Sequence, residues 1–250
     1  MKLIKEYVKR IIFATKVFSL SNKKKMKNLR DECSKYKRCF IIGTGSSLTK
    51  DDLQKLEGEC LFVSNRFLYY GNEFHPTAYF CQDPTVLEST IDEVNSYNGA
   101  RFKLINSYII RLNKRLRVTD NTVLFNIIRS RYICHKPPLF STNPLKVYDG
   151  FTVTYSMIQI AVALGFEEIY LLGIDFSYKI NDDGRIDLNG SHAAGIKGKS
   201  TSGSCDMEYS LSSYRMAKEY CEKHHIKIYN ATRGGKLEVF ERIGLDQMFS

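Results

Sequence analysis

Short runs that are apolar at both odd and even positions recur along the chain, with stretches of helical periodicity between them. "RCFIIG" (38–43), "CLFVSN" (60–65), "TAYFCQ" (77–82), "RFKLIN" (101–106), "TVLFNI" (122–127), "EIYLLGID" (168–175) and "IKIYNA" (226–231) read as strands. Helices are expected around residues 49–57, 84–96, 151–165 and 206–224. A strand with one wet face alternates polar and apolar residues, so runs without alternation must be covered on both sides. The pattern therefore predicts an α/β protein, Rossmann-like, with a mostly parallel sheet and helices on both faces. Two stretches follow neither period, 129–149 and 177–205, and loops this long in a compact domain usually carry function. The second follows a buried strand on the side of the sheet where such proteins bind ligands, and we read it as an active-site lid.

The N-terminus is different. In "MKLIKEYVKRIIFATKVFSL" the apolar residues Leu3, Ile4, Tyr7, Val8, Ile11, Ile12, Ala14 and Phe18 recur at helical spacing with lysines between them. Charge sharpens the distinction. The 250 residues carry a net charge of +10, but residues 1–38 hold 13 Lys/Arg against three Asp/Glu, and the remainder balances at 24 of each sign. We therefore divide the chain into a basic amphipathic N-terminal segment, 1–37, and a single catalytic domain, 38–250. A basic face spread over the domain, as nucleic-acid binding requires, is not present. A basic amphipathic helix suits an anionic bilayer surface, with "NKKKMK" contributing about 1 kcal/mol per base near the headgroups; a packing role on its own domain or on a second subunit is the alternative. No run of about 18 uncharged apolar residues exists to span a membrane. Charges interrupt the apolar stretch and no small-residue cleavage site follows, which disfavours a secretory signal. The seven cysteines contain no C-x-x-C pair and read as reduced thiols, with no zinc or disulfide framework. The expected location is the cytoplasm, at the inner face of the membrane.

Three motifs carry candidate chemistry. "GTGSSL" puts Gly43, Thr44, Gly45 and Ser46 at a strand end, where a backbone without Cβ atoms can approach a phosphate or ribose closely. The dinucleotide pattern G-x-G-x-x-G fails here, because Leu48 stands at the third glycine and Asn65 ends the second strand where an acidic residue would hold a ribose. The P-loop pattern is absent as well. "GFTVTYSMIQIAVALGFEEIYLLGIDFSY" (150–178) places Thr152, Thr154 and Ser156 in a helix's first turn, where free N–H groups favour an anion, and Asp175 at a strand's carboxyl end. Asp175 faces a ligand there, or else braces a loop. "NGSHAAG" sets His192 alone in the long polar loop, in reach of a general-base or phosphate-binding role. "NDDG" (181–184) reads as a surface turn rather than a metal site.

Together, "GTGSSL", "FVSNRF", "YFCQDP", "ALGFEEIYLLGIDF" and the following "SH" resemble the bacterial sialyltransferases of glycosyltransferase family 42 and the related domain family that includes archaeal 6-hydroxymethylpterin pyrophosphokinases. The resemblance covers roughly 38–240 and implies a GT-A-like variant of the Rossmann architecture. It also implies a CMP-sugar donor. By resemblance, Thr44 takes the place of an asparagine that contacts CMP, Asn65 matches a cytidine contact, and Gln82 and Asp83 fall near a further asparagine of the site. Thr152, Val153 and Thr154 fall at a Thr-Ser-Gly helix start. Ser177 aligns with a tyrosine that holds the donor phosphate, and Tyr178 lies one step later. The family's usual base, the second histidine of S-H-x-x-G-H, is replaced by Ile196; His192 matches the first.

The resulting expectation is a glycosyltransferase that passes an acid sugar from a nucleotide donor to a glycan or glycolipid precursor of lipopolysaccharide or capsule. His192 is the expected base and Asp175 the runner-up. No cofactor or metal is expected, and a homo-oligomer is compatible with the N-terminus. Two alternatives stay open: a Mg²⁺-dependent pyrophosphokinase-like phosphotransferase using Asp175, Asp83 or the Asp182/Asp183 pair, and a catalytically inactive nucleotide-sugar binder.

Overall fold

A computed structural model describes residues 16–108, 115–129, 138–182, 186–187, 191–193, 202–203 and 206–249. Its centre is a parallel sheet of nine strands, in the order β11 (Glu241–Arg242), β10 (Lys227–Asn230), β7 (Glu168–Leu172), β1 (Cys39–Ile42), β2 (Cys60–Ser64), β3 (Ala78–Cys81), β4 (Phe102–Asn106), β5 (Thr122–Ile128), β6 (Lys146–Tyr148). The inner strands β1, β2, β3, β4, β5, β7 and β10 are the seven expected from the sequence. Every residue of β1, β2 and β3 is buried, as both-face apolar runs require. Two edge strands, β6 (Lys146–Tyr148) and β11 (Glu241–Arg242), were not legible. Each is two or three residues long, and their mixed or wholly exposed side chains leave no apolar run to detect.

Helices α2 (Lys50–Lys55), α3 (Pro84–Ser96), α4 (Val153–Leu164) and α5 (Met207–Lys223) lie where expected. Their ends follow from local chemistry. Thr49 and Asp52 form a reciprocal capping box at α2, Asp83 with Pro84 starts α3, and Gly165, at φ +104°, ends α4. Strand β7 was expected to reach Asp175 but stops at Leu172, because Gly173 turns into the left-handed region at φ +67°.

The N-terminal segment behaves differently from the division at residue 37. Helix α1 (Leu20–Cys33) packs on the sheet, with Met26, Leu29 and Cys33 buried, and Val17 buried just ahead of it. The Asn22 side chain accepts from the Leu124 N–H at 2.8 Å and donates to the Leu124 carbonyl at 2.9 Å. Residues 16–33 are thus part of the same core, while Lys16, Lys23, Lys24 and Lys27 stay exposed. The residues numbered 1–15, on which most of the amphipathic reading rests, lie outside the described residues. So do Cys134 and Cys205; the cysteines at 33, 39, 60, 81 and 221 are buried free thiols. No described helix is long and apolar enough to cross a membrane.

Strands β1 to β6 extend to one side of β1, and β7, β10 and β11 to the other. The strand order therefore reverses between β1 and β7, and in open parallel sheets ligands bind beside the carboxyl ends of strands at such a reversal. Right-handed crossovers put α2 and α3 on one face and α4 and α5, which pack together, on the other.

Candidate functional site

At the reversal the loops leaving β1 and β7 are laced together. The Gly43 N–H donates to Leu172 O at 2.8 Å and the Gly45 N–H to Gly173 O at 2.9 Å. A Cβ on Gly43 would sit 2.3 Å from Gly173 O, and one on Gly45 would sit 2.5 Å from the Asp175 carboxyl carbon. The two glycines are therefore required by the neighbouring loop of the same chain. Asp175 completes the buckle: its carboxylate accepts from Ser46 Oγ at 3.0 Å, from Ser47 N at 3.0 Å and from Ser47 Oγ. A third loop closes behind it, with Lys236 N donating to Asp175 O at 2.7 Å and Thr232 Oγ1 accepting from Ile174 N at 3.1 Å. The buried Asp175 is thus engaged as a loop brace.

His192 reaches the same loop from the far side. The chain after Tyr178 folds back on itself: Asp187 N donates to Lys179 O, Lys179 N to Ser191 Oγ, and Ala193 N to Thr44 O. Short strands β8 (Ile186–Asp187) and β9 (Ser202–Gly203) form an antiparallel pair within this segment. The result sets His192 Nδ1 at 2.8 Å from Thr44 Oγ1 and 3.2 Å from Thr44 O. With a proton on Nδ1 the ring donates to the Thr44 oxygens, and Nε2 then carries the lone pair. Burial, and then the positive charge of Arg66, lower the His192 pKa to about 4. The imidazole is neutral at pH 7, as a general base must be before it acts.

One strand over, at the exit of β2, the chain is strained and incompletely satisfied. Asn65 has φ +51°, its carbonyl accepts from Tyr79 Oη at 2.9 Å, and its side-chain Oδ1 is buried with no hydrogen-bond partner. Phe151 (φ +57°), before α4, and Phe176 (φ +49°), after β7, adopt the same unusual conformation on the same edge of the sheet. Such clustering is typical of binding sites. Arg66, which sequence reasoning missed, follows Asn65 and is only 5% exposed. The signal available was the charge in "SNRF", a guanidinium directly behind a strand that ends in a ligand-type asparagine.

The remaining candidates divide. Gln82 Oε1 accepts from Ser156 Oγ at 2.6 Å, which ties the end of β3 to the first turns of α4. Asp83 and Thr152 serve as helix caps, accepting from Thr85 N and Thr154 N, and Thr152 Oγ1 lies 3.3 Å from Tyr214 Oη. Thr154 is buried in α4. Ser177 and Tyr178 are half-buried beyond Phe176, with the Tyr178 ring edge-on to Phe176 at 5.9 Å. Asp182 is exposed; Asp183 and Ile196 lie outside the described residues. Among the described residues no group of three or more His, Cys, Asp or Glu is arranged to hold a metal ion.

Residues 13–181, two thirds of the chain, match the family described as 6-hydroxymethylpterin diphosphokinase MptE-like. The chain belongs to the MptE-like family. No curated protein matches it in sequence. Among solved structures, the MAf glycosyltransferase from Magnetospirillum magneticum AMB-1 is similar, with a TM-score of 0.53 at 17% identity over 84% of this chain and 34% of that one. This chain thus spans about a third of that protein. The sialyltransferase CstII from Campylobacter jejuni in complex with CMP-3FNeuAc gives 0.47 at 19% identity, covering 83% and 85%. The monofunctional α-2,3-sialyltransferase Cst-I from the same organism gives 0.48 at 18%, covering 78% and 76%. The MptE-like chain has a glycosyltransferase-like fold.

Proposed function

We propose that the protein is a glycosyltransferase that takes a sugar from a nucleotide-activated donor, a CMP-sugar, and passes it to a glycan or glycolipid acceptor. The observation that carries this reading is the pair formed by His192 and Thr44: a neutral imidazole held by its Nδ1 beside the sheet's reversal, while the unpartnered Oδ1 of Asn65 lies at the end of the neighbouring strand. In the reaction, Nε2 takes the acceptor hydroxyl's proton as the oxygen attacks the anomeric carbon. The bond from that carbon to the phosphate oxygen breaks, and CMP leaves with the electron pair. Thr44, Asn65, Ser177 and Tyr178 supply polar contacts to the donor, and N–H and hydroxyl donors aimed at the phosphate favour its departure. Asn65 Oδ1 is matched to an amino donor such as the N4 group of cytosine.

Thermal shift with CMP, CDP, UDP, GDP and ATP, each with EDTA and with Mg²⁺, tests the reading. A ligand at about 100 Kd adds about 2.7 kcal/mol of stability. A cytidine-selective shift that survives EDTA is expected; a shift with ATP and Mg²⁺ alone replaces the reading with phosphotransfer, which the MptE-like family description favours.

The acceptor's place is the inner membrane surface. Supporting this, α1 keeps Lys23, Lys24 and Lys27 exposed, and ahead of them Phe18 and Leu20 are 38% and 85% exposed. Co-sedimentation with anionic but not neutral vesicles is expected, and equal partition to both argues against it.

A further inference from the structure

The stretch 129–149, which follows no hydrophobic period, begins and ends on two charged residues that face each other. Arg129 leaves β5 and Asp149 leaves β6. These strands run in register, with Ile128 opposite Tyr148, and Asp149 N donates to Ile128 O at 2.9 Å, so both side chains start from the carboxyl edge of the sheet. Tyr108, just past the end of β4, joins them. It is 39% exposed, and the Arg129 guanidinium lies over its ring, 5.8 Å from the centroid. The attraction between cation and ring limits where Arg129 points.

Elsewhere in the protein, arginines and carboxylates close into direct hydrogen bonds, at 3.0 Å for Arg38 and Glu59, 2.7 Å for Arg233 and Asp52, and 2.6 Å for Arg115 and Asp92. Arg129 and Asp149 stay apart. Nε stands 3.9 Å from Oδ2, beyond hydrogen-bond reach, although the Asp149 side chain is only 16% exposed. The carboxylate is fixed through its other oxygen: Oδ1 accepts at 2.9 Å from the N–H of Phe151, one of the residues at positive φ on this edge. A fixed donor and a fixed acceptor at this separation suit a group that accepts from one and donates to the other. A hydroxyl does both.

We propose that Arg129, Asp149 and Tyr108 form a subsite for a sugar ring of the acceptor, with Arg129 Nε–H donating to a ring hydroxyl and Asp149 Oδ2 accepting from it. Both hydrogen bonds are charge-assisted, and the exposed Tyr108 ring offers apolar surface to the sugar's C–H groups. This rests on the glycosyltransferase reading above and adds where the acceptor lies. Strand β5 is three strands from β2, about 14 Å at the usual spacing. The subsite therefore holds a ring remote from the attacking hydroxyl, and the acceptor class it selects is an oligosaccharide rather than a single sugar.

Saturation-transfer NMR of the full chain with CMP bound tests the subsite, with the methyl glycosides of galactose, glucose, mannose and N-acetylglucosamine as probes. At least one glycoside is expected to bind. Asp149→Asn keeps an oxygen for the Phe151 N–H and exchanges the other for an amino group; it should weaken that glycoside at least tenfold and leave CMP affinity, measured by calorimetry, unchanged. Unaltered sugar binding in Asp149→Asn overturns the proposal, and so does a wild type that binds CMP but none of the four probes; both leave the donor reading standing. A parallel loss of CMP affinity assigns Asp149 to the architecture and overturns the proposal as well. A wild type that binds neither CMP nor a glycoside overturns the donor reading and this proposal together, and the CMP measurement alone reveals it. If Asp149→Asn does not fold, Arg129→Leu decides, since that half-exposed side chain makes no hydrogen bond to Asp149: the same tenfold weakening supports the subsite, and unchanged sugar binding overturns it.

Discussion

Two neighbouring exits from one sheet behave in opposite ways. Between β1 and β7 the polar groups are paired within the chain: glycine N–H groups with carbonyls, serines with Asp175, Thr232 with Ile174. At β2, a strand away, Asn65 sits in the left-handed region with its Oδ1 orphaned, and nearby His192 is neutral. Gly43 and Gly45, which look most like a nucleotide cradle, are thus structural members, and the unpartnered polar atom lies one strand over.

If that division is right, variants on the two sides should fail differently. The largest effect is expected for Gly43→Ala, whose Cβ must displace the Gly173 carbonyl; a loss of about 3 kcal/mol in denaturant unfolding is expected, with residual nucleotide affinity in whatever remains folded. Near-normal stability would show that the buckle yields. Next is a pH effect on the other side. His192 is depressed in the folded protein, so the unfolded chain binds the extra proton: stability is complete above about pH 6.5, falls as the pH drops, and levels off below about 4. The total approaches about 3 kcal/mol and should vanish in His192→Gln, measured by urea midpoints across pH. His192→Ala should lower turnover about 100-fold, with the donor's Kd changed little; unchanged turnover removes it as the base. The smallest effect is expected for Asn65→Gly, which keeps the left-handed backbone but deletes the orphaned amide. Affinity for CMP should fall about tenfold while stability stays within about 1 kcal/mol, because no hydrogen bond within the protein is lost. A stability loss without an affinity loss would move Asn65 to the structural side.

The inner strands were legible because burial on both faces writes itself into every position, as in "CFII" and "CLFVS". Helix limits were legible for a similar reason: Thr49, Asp83 and Gly165 have local jobs that their own side chains or their lack of one perform. The roles of Gly43 and Gly45 were not, since a close approach to a ligand and a close approach to a loop 130 residues away ask for the same residue. Arg66 was hidden because burial of a charge is a property of the assembled loops. The lysines around Met26 drew the eye to charge, while the spacing of Asn22, Met26, Leu29 and Cys33 already described a helix with one buried face.

The Asn22 amide has a further consequence. Strand β6 begins to pair with β5 only at Asn126, so the backbone of Leu124 on that side would present a free N–H and C=O, an open template for a foreign strand. The amide of Asn22 occupies both positions. Helix α1 therefore covers this ribbon, and a chain trimmed to begin after Cys33 would be expected to aggregate through it even if the loops at the sheet's carboxyl edge remained in place.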